Sequence, residues 1–354
     1  MPTNYTGNPT ATQPPAAAPA PGVLPILVLP ADGDPANAAS VAQAYKVLAD
    51  YVANIQRQAL GTMFGDGSDG TVLLDGSFAA PPGMSKAGSI YSLTRDFYAS
   101  SVSVLGAATQ LKFNGFRLFV RNNLTTSGGA SVNADGVAAS TTTGGTGQAA
   151  GTVNGSSTQA GRDSPPSAGI AGQNATNITA AFGGAGGNGG AVTVPGAFAG
   201  GLGGTVTAPP GAGSLRNLSL PHLGYFVSHA AGVVSHTPFI GGAGGGSGAT
   251  GVAGFTGGGG GGGGGIAVCF ARVIQLASGA DLRAGGGAAG AGQSGGTQGG
   301  GGGGGGGGVL LVSYGSSNVT FSAATNTAGG AGGAGFGGAA NGQVGSNGLV
   351  LTFA

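Results

Sequence analysis

Three times along this chain an apolar, alternating run starts directly after a glycine and closes on another glycine. The copies are residues 115–136 (GFRLFVRNNLTTSGGASVNADG), 265–286 (GIAVCFARVIQLASGADLRAGG) and 308–329 (GVLLVSYGSSNVTFSAATNTAG), and they align without gaps. Each contains an Ala-x-[Val/Leu/Thr]-[Asn/Arg] step before its closing glycine. The second and third follow unbroken polyglycine, residues 257–265 and 299–308. Internal repetition of this kind signals one supersecondary unit that buries its apolar face by stacking on its neighbours. The turn dipeptides Asn114-Gly115 and Asp135-Gly136 bracket the first copy. A unit of that length suits a parallel β-helix or β-solenoid-like stack. Phe116, Leu118 and Val120 are then expected to point inward, above Ile266, Val268 and Phe270 and then Val309 and Leu311.

Glycine fills 84 of 354 positions, against a usual share of about 7%. No Gly-X-Y period with proline runs through the chain, which excludes collagen. Disorder of the ordinary kind needs low hydrophobicity and high charge. Here 40% of residues are hydrophobic, 6% are charged and the net charge is +1. A chain so neutral is expected to satisfy its backbone polar groups in an ordered way. Ordering ten consecutive glycines costs on the order of 10–20 kcal/mol with no side chain to offset it. Lateral hydrogen bonds and backbone-on-backbone packing are what can compensate. Extended threefold glycine helices, conformationally like polyproline II, meet that need because each residue keeps its N–H. The polyglycine runs, with residues 183–190 and 328–338, are expected to bundle beside the β stack.

The rest of the chain divides by composition. Residues 1–36, rich in Pro and Ala with the apolar run PILVLP, read as an extended attachment arm. Residues 37–61 read as one helix, with Val41, Tyr45, Leu48, Val52, Ile55 and Ala59 on a heptad seam suited to packing on partner helices or on the β body. Residues 62–136 read as a β-helical body, 137–264 as a glycine-rich insertion and 265–354 as repeated strands with polyglycine tracts. Within the insertion, residues 214–239 are poorer in glycine and hold all three histidines with several large apolar side chains. His222, Tyr225, Phe226, His229 and His236 make this the candidate exposed contact loop, since insertions between repeats tend to emerge on one face.

Little here points to chemistry. The lone Cys269 lies in the apolar run IAVCFA and reads as a buried inert thiol. The histidines stand seven apart, a spacing that reverses the face of a strand, and no carboxylate lies nearby to complete a metal shell. The segment DGSDG at 66–70 resembles a fragment of a calcium loop but lacks the later bidentate Glu, so a tight turn is expected. All ten acidic residues are Asp, scattered among turns and glycines. Paired carboxylates for sugar hydrolysis are possible in principle, but Asp135, Asp163 and Asp281 each sit in turn-like or glycine-rich surroundings without neighbours to raise a pKa. There is no Walker lysine or Gly-x-Ser-x-Gly elbow. The expectation is no enzyme, no cofactor and no metal. Balanced charge disfavours nucleic acid. No stretch reaches the roughly 18 apolar residues of a membrane helix, so no membrane insertion is expected, and the amino terminus has no signal-peptide pattern.

The segment GDPANAASVAQAYKVLADYVANIQ (33–56), followed by FGDGSDG, resembles the amino-terminal part of many tailed-bacteriophage virion proteins, where such a turn and helix precede a repetitive β fibre. The glycine-rich body is similar to phage tail-fibre and tip-adhesin proteins, in which polyglycine helices bundle and present loops to the host surface. The resemblance implies a structural virion protein, a trimeric tail fibre or tail-associated component with a homotrimeric body. It also implies attachment to other virion proteins through arm and helix, and contact with a host surface receptor. The alternatives are a capsid-decoration or head-fibre protein and, in another class, a tailspike-type polysaccharide depolymerase. A glycine-rich surface or matrix protein of the host is a third.

Overall fold

The protein is described by a computed structural model, which covers residues 63–147, 151, 153, 175–176, 186–189, 191, 200–203, 206–207, 241–249, 257–293 and 299–353. The attachment arm, the heptad helix with Val41, Tyr45, Leu48, Val52 and Ile55, and the loop 214–239 lie outside the described residues. All that follows concerns one unit, Leu60–Ala354.

The unit is mainly β and its strands pair almost entirely in parallel. In chain order they are β1 (Thr71–Leu74), β2 (Met84–Ala87), β3 (Ile90–Leu93), β4 (Phe97–Ala99), β5 (Ser101–Val104), β6 (Gln110–Lys112) and β7 (Arg117–Thr126). There follow β8 (Ser131–Asn133), the two-residue β9 (Ala175–Thr176) and β10 (Val206–Thr207), β11 (Ile266–Leu276), β12 (Asp281–Arg283), β13 (Val309–Ser317) and β14 (Leu349–Phe353). One sheet runs β1-β5-β7-β11-β13-β14, with β4 also paired to β7; a second runs β12-β8-β6-β3-β2, and β9 and β10 pair as a small third. Every pair is parallel except β2 with β3. The three sequence copies supply β7 with β8, β11 with β12, and β13, so each copy adds its next strand beside the last.

Between the sheets lies one core. From the second sheet Tyr91, Leu111, Val132 and Leu282 stand in register and are buried. From the first, Phe97, Leu118, Cys269 and Val312 form one rung column, and Ala99, Val120 and Ala271 the next. Straight rows of like side chains are the natural product of parallel, in-register pairing.

The expected stacking of Leu118 and Val120 on Val268 and Phe270 is corrected here. Val120 pairs with Ala271, but Asn123 pairs with Val273, so Arg121 and Asn122 together oppose Arg272. That β-bulge moves the first half of β7 by one residue, and a one-residue slip exchanges the faces of a strand. Leu118 and Val120 therefore share the inter-sheet core with Ala267, Cys269, Ala271, Leu310 and Val312. Phe116 packs partly buried against that core. Ile266, Val268, Phe270, Val309 and Leu311 point to the opposite face with Phe119, Phe64 and Val153, in a second buried cluster. Both faces of the central strands are thus apolar, as parallel strands buried on both sides require.

An aromatic ladder marks the second face. Tyr98 stacks on Phe119 with ring centroids 4.8 Å apart, and Phe119 on Phe270 at 5.2 Å. The next rung is Ser313, which pairs with both Phe270 and Phe353 and is 1% exposed, yet among the described residues its hydroxyl has no hydrogen-bond partner. A buried hydroxyl without a partner costs about 1–3 kcal/mol. Ser313→Ala is therefore expected to raise the denaturant midpoint, by the equivalent of about 1 kcal/mol; a lowered midpoint would show that the hydroxyl is satisfied.

The third copy departs from the pattern. Its Ala-Ala-Thr-Asn step is a single helical turn, α1 (Ala323–Asn326), in place of a strand below β12. The Asn326 side chain decides this locally. Its Oδ1 accepts the Ser322 N–H at 2.7 Å, closing the turn, while its Nδ2 donates to the Leu282 carbonyl of β12 at 2.9 Å. An amide thus replaces the next strand of the ladder.

Candidate functional site

What distinguishes this molecule is built from backbone. Glycine-rich runs follow β8 and β12 of the second sheet and the turn α1, and others lead into β11, β13 and β14 of the first sheet. Charged groups anchor their roots. Asp135, just past β8, accepts Arg283 Nε at 2.5 Å and the Gly285 N–H at 2.7 Å, and Arg283 also donates to Asp281 at 3.2 Å.

Residues 299–308 form the centre. Gly300, Gly303 and Gly306 donate to the carbonyls of Ala249, Gly246 and Ala243. Gly301, Gly304 and Gly307 donate to Ala340, Gln343 and Ser346, and Gly302, Gly305 and Gly308 to Gly290, Gly287 and Ala284, all at 2.8–3.2 Å. Every third N–H thus addresses the same neighbour. The same run accepts from Gly258, Gly261 and Gly264 on a fourth run, from Gly330 and Gly333 on a fifth, and from Gly187 on a sixth. Ordering each glycine costs about 1–2 kcal/mol. One hydrogen bond returns about 0.5–1.5 kcal/mol, so close backbone packing must supply the remainder.

At the central glycines that packing leaves no room for a side chain, although Ala243, Ser247 and Ala249 of the adjoining run 241–249 are fully buried. A Cβ on Gly301 or Gly304 would fall on the carbonyl oxygen of Gly333 or Gly330, and one on Gly261 on that of Gly287, all well inside the 3.0 Å that real Cβ atoms respect. Glycine frequency follows position accordingly. The central runs 257–265 and 299–308 are all glycine and buried. In the stretch 328–335 alanine returns at every third place, and Ala331 and Ala334 face water. In the outermost run Gly342, Gly345 and Gly348 recur at every third place, while Gln343, Val344, Ser346 and Asn347 are exposed.

The described carboxylates are committed to structural partners. Asp69 takes a two-pronged contact from Arg95 at 2.5 and 3.1 Å and the Tyr98 N–H at 2.7 Å. Asp66 and Asp75 close turns by accepting backbone N–H groups of Ser68, Ser77 and Phe78. These bonds, the Ser68 backbone bond first for Asp66 and the Phe78 backbone bond first for Asp75, hold both carboxyls below the ordinary range. A general acid needs the opposite displacement. The DGSDG segment is a turn, with Gly70 N–H donating to the Gly67 carbonyl at 2.9 Å. Asp96 and Arg117 form a buried pair in which Asp96 Oδ2 accepts Arg117 Nε at 2.9 Å and Oδ1 accepts its backbone N–H at 2.9 Å. Complete burial pushes the Cys269 thiol up to about 12, which leaves it unreactive at neutral pH.

The candidate contact residues His222, Tyr225, Phe226, His229 and His236 lie outside the described residues. Among the described residues no group of three His, Cys, Asp or Glu side chains is placed to hold a metal ion. No helix among them is long and apolar enough to cross a membrane. The Asp135–Arg283 and Asp96–Arg117 pairs carry no sequence signal, since their members are joined only by the pairing of β8 with β12 and of β4 with β7. No family model, curated protein or solved structure matches this chain.

Proposed function

We propose that this chain is a structural component of a tailed-bacteriophage virion, a trimeric tail fibre or tail-associated protein that contributes to host attachment. Its two parallel sheets wind as a β-solenoid, and its glycine runs are polyglycine-II-like helices. The arm and heptad helix join it to other virion proteins, while the β stack and glycine bundle form the rigid projecting part. The observation that supports this reading above others is the central run 299–308, whose N–H groups are all turned onto neighbouring backbone. Such a bundle commits the main chain to rigidity and offers few side chains for chemistry. Scaffolding is the role that suits it, and catalysis is not. The commitment of the described carboxylates to arginines and turns disfavours a polysaccharide depolymerase.

Mass spectrometry of purified particles is expected to find the chain as a stoichiometric component, and its absence from particles would sink the virion reading. Antibody labelling of the particles is expected on the tail; labelling confined to the head would favour the head-fibre or capsid-decoration alternative. Release of reducing ends from host capsule by the purified protein would return the depolymerase to first place.

A further inference from the structure

The glycine bundle raises a problem that its own chemistry creates. Runs that bind one another through backbone alone recognise any other run of the same kind, including one on a second copy of the chain. Net charge does not keep copies apart, because 11 basic residues stand against 10 acidic ones. Something else must end the bundle.

The ends of the pattern are visible. In the stretch 284–293, Gly287 and Gly290 face inward and are buried, while Ala288 and Ala291 are exposed. In 328–335, Gly330 and Gly333 are buried, while Ala331 and Ala334 are exposed. The N–H groups of these four alanines make no hydrogen bond among the described residues, so they are the donors that a further run would engage. Each carries a methyl group on its water-facing side. At the inner glycines Gly301, Gly304 and Gly261 a Cβ would meet carbonyl oxygen well inside 3.0 Å, so a run cannot close on a row of methyls at the spacing those glycines keep. Exposed glycine in the described bundle occurs only at Gly337 and Gly338, where φ values of 64° and 80° make a turn.

We propose that the outward side-chain rows, Ala288 with Ala291 and Ala331 with Ala334, are terminators that close the bundle against a second copy of this chain. The surface is a backbone-recognition interface for a glycine-rich run, held shut by one methyl group per three residues. The ligand it excludes is the same chemistry that builds its interior. This inference rests on the geometry of the bundle alone and stands apart from the virion reading.

The test replaces the methyls and keeps everything else. A variant with Ala288, Ala291, Ala331 and Ala334 all changed to Gly is compared with the parent and with the matching four-fold Ala→Ser variant. Sedimentation velocity gives the mass, and circular dichroism with thermal melting gives the fold. The Gly variant is expected to populate species of at least twice the parent's mass that retain its spectrum and melting transition, with the Ser variant sedimenting as the parent does. A Gly variant with the parent's mass overturns the proposal, as does association accompanied by loss of the native spectrum. The two-residue variants Ala288→Gly/Ala291→Gly and Ala331→Gly/Ala334→Gly are read if the four-fold change prevents folding. Parental mass in both, or association without native structure, overturns it equally.

Discussion

Replacing Gly304 by alanine is expected to destabilise the protein by more than about 3 kcal/mol, or to prevent soluble folding. Gly304 donates to the Gln343 carbonyl at 2.9 Å, and its α-hydrogen faces the Gly330 carbonyl on another run. Core overpacking is usually relieved when a neighbouring side chain changes rotamer, and that limits the cost to about 1–3 kcal/mol. Here the neighbours are main-chain atoms, each held by its own lateral bond. Moving one run aside would break its bonds to others. Chemical denaturation of Gly304→Ala beside Ala331→Ser, an exposed change expected to stay within about 0.5 kcal/mol, measures the difference. A Gly304→Ala midpoint within about 1 kcal/mol of the parent would mean that the bundle yields locally and is not an interlocked solid.

The second large effect is expected at the buried ion pair. Asp96→Ala should cost about 3–5 kcal/mol, because it strips the carboxylate from a guanidinium that has lost its water. The side chains of Arg117 and Asp96 are 3% and 8% exposed, and Arg117 lies over the Phe119 ring at 5.5 Å from its centroid. The pair ties β4 to β7, since Asp96 also accepts the backbone N–H of Arg117. The double change Asp96→Leu/Arg117→Met should recover much of the loss, because removing both charges removes the desolvation cost with them. Urea midpoints of the two variants decide it: a single mutant within about 1 kcal/mol of the parent, or a double mutant no better than the single, contradicts this account.

Much of the β architecture was legible in the repeated units. The gapless alignment of the second copy with the third reproduces the observed pairing of Ile266 with Val309 and Val268 with Leu311. It holds for the first copy only beyond the bulge, from Asn123 with Val273 onward. Nothing marks the bulge in the sequence, because β7 is apolar on both faces before Arg121 and alternation cannot reveal a slip there. The helical turn at Ala323 was hidden for another reason. Its Ala-Ala-Thr-Asn matches the strand steps of the other copies in composition, and only the bonds of Asn326 to Ser322 and Leu282 separate them. The ordering of the glycine runs could be argued from their recurrence. In the stretches 328–335 and 342–348 the exposed side was also written in the sequence, as a threefold alternation of glycine with larger residues, a period easily lost against so much glycine. The Asp–Arg anchors were not legible, since only the finished ladder brings Asp135 to Arg283.

The threefold pattern of donors gives the runs a reading frame. In the outermost run, Gly342, Gly345 and Gly348 face the bundle and the two residues between successive glycines face water. Inserting three residues there would lengthen the run by one repeat of the pattern and keep every side chain on its side. Inserting one would shift all that follows by one position of the repeat and drive Val344 or Ser346 toward the carbonyls of the central run. Change in the length of such a segment is therefore counted in triplets, and a loss of phase in one run is felt by each neighbour that reads it.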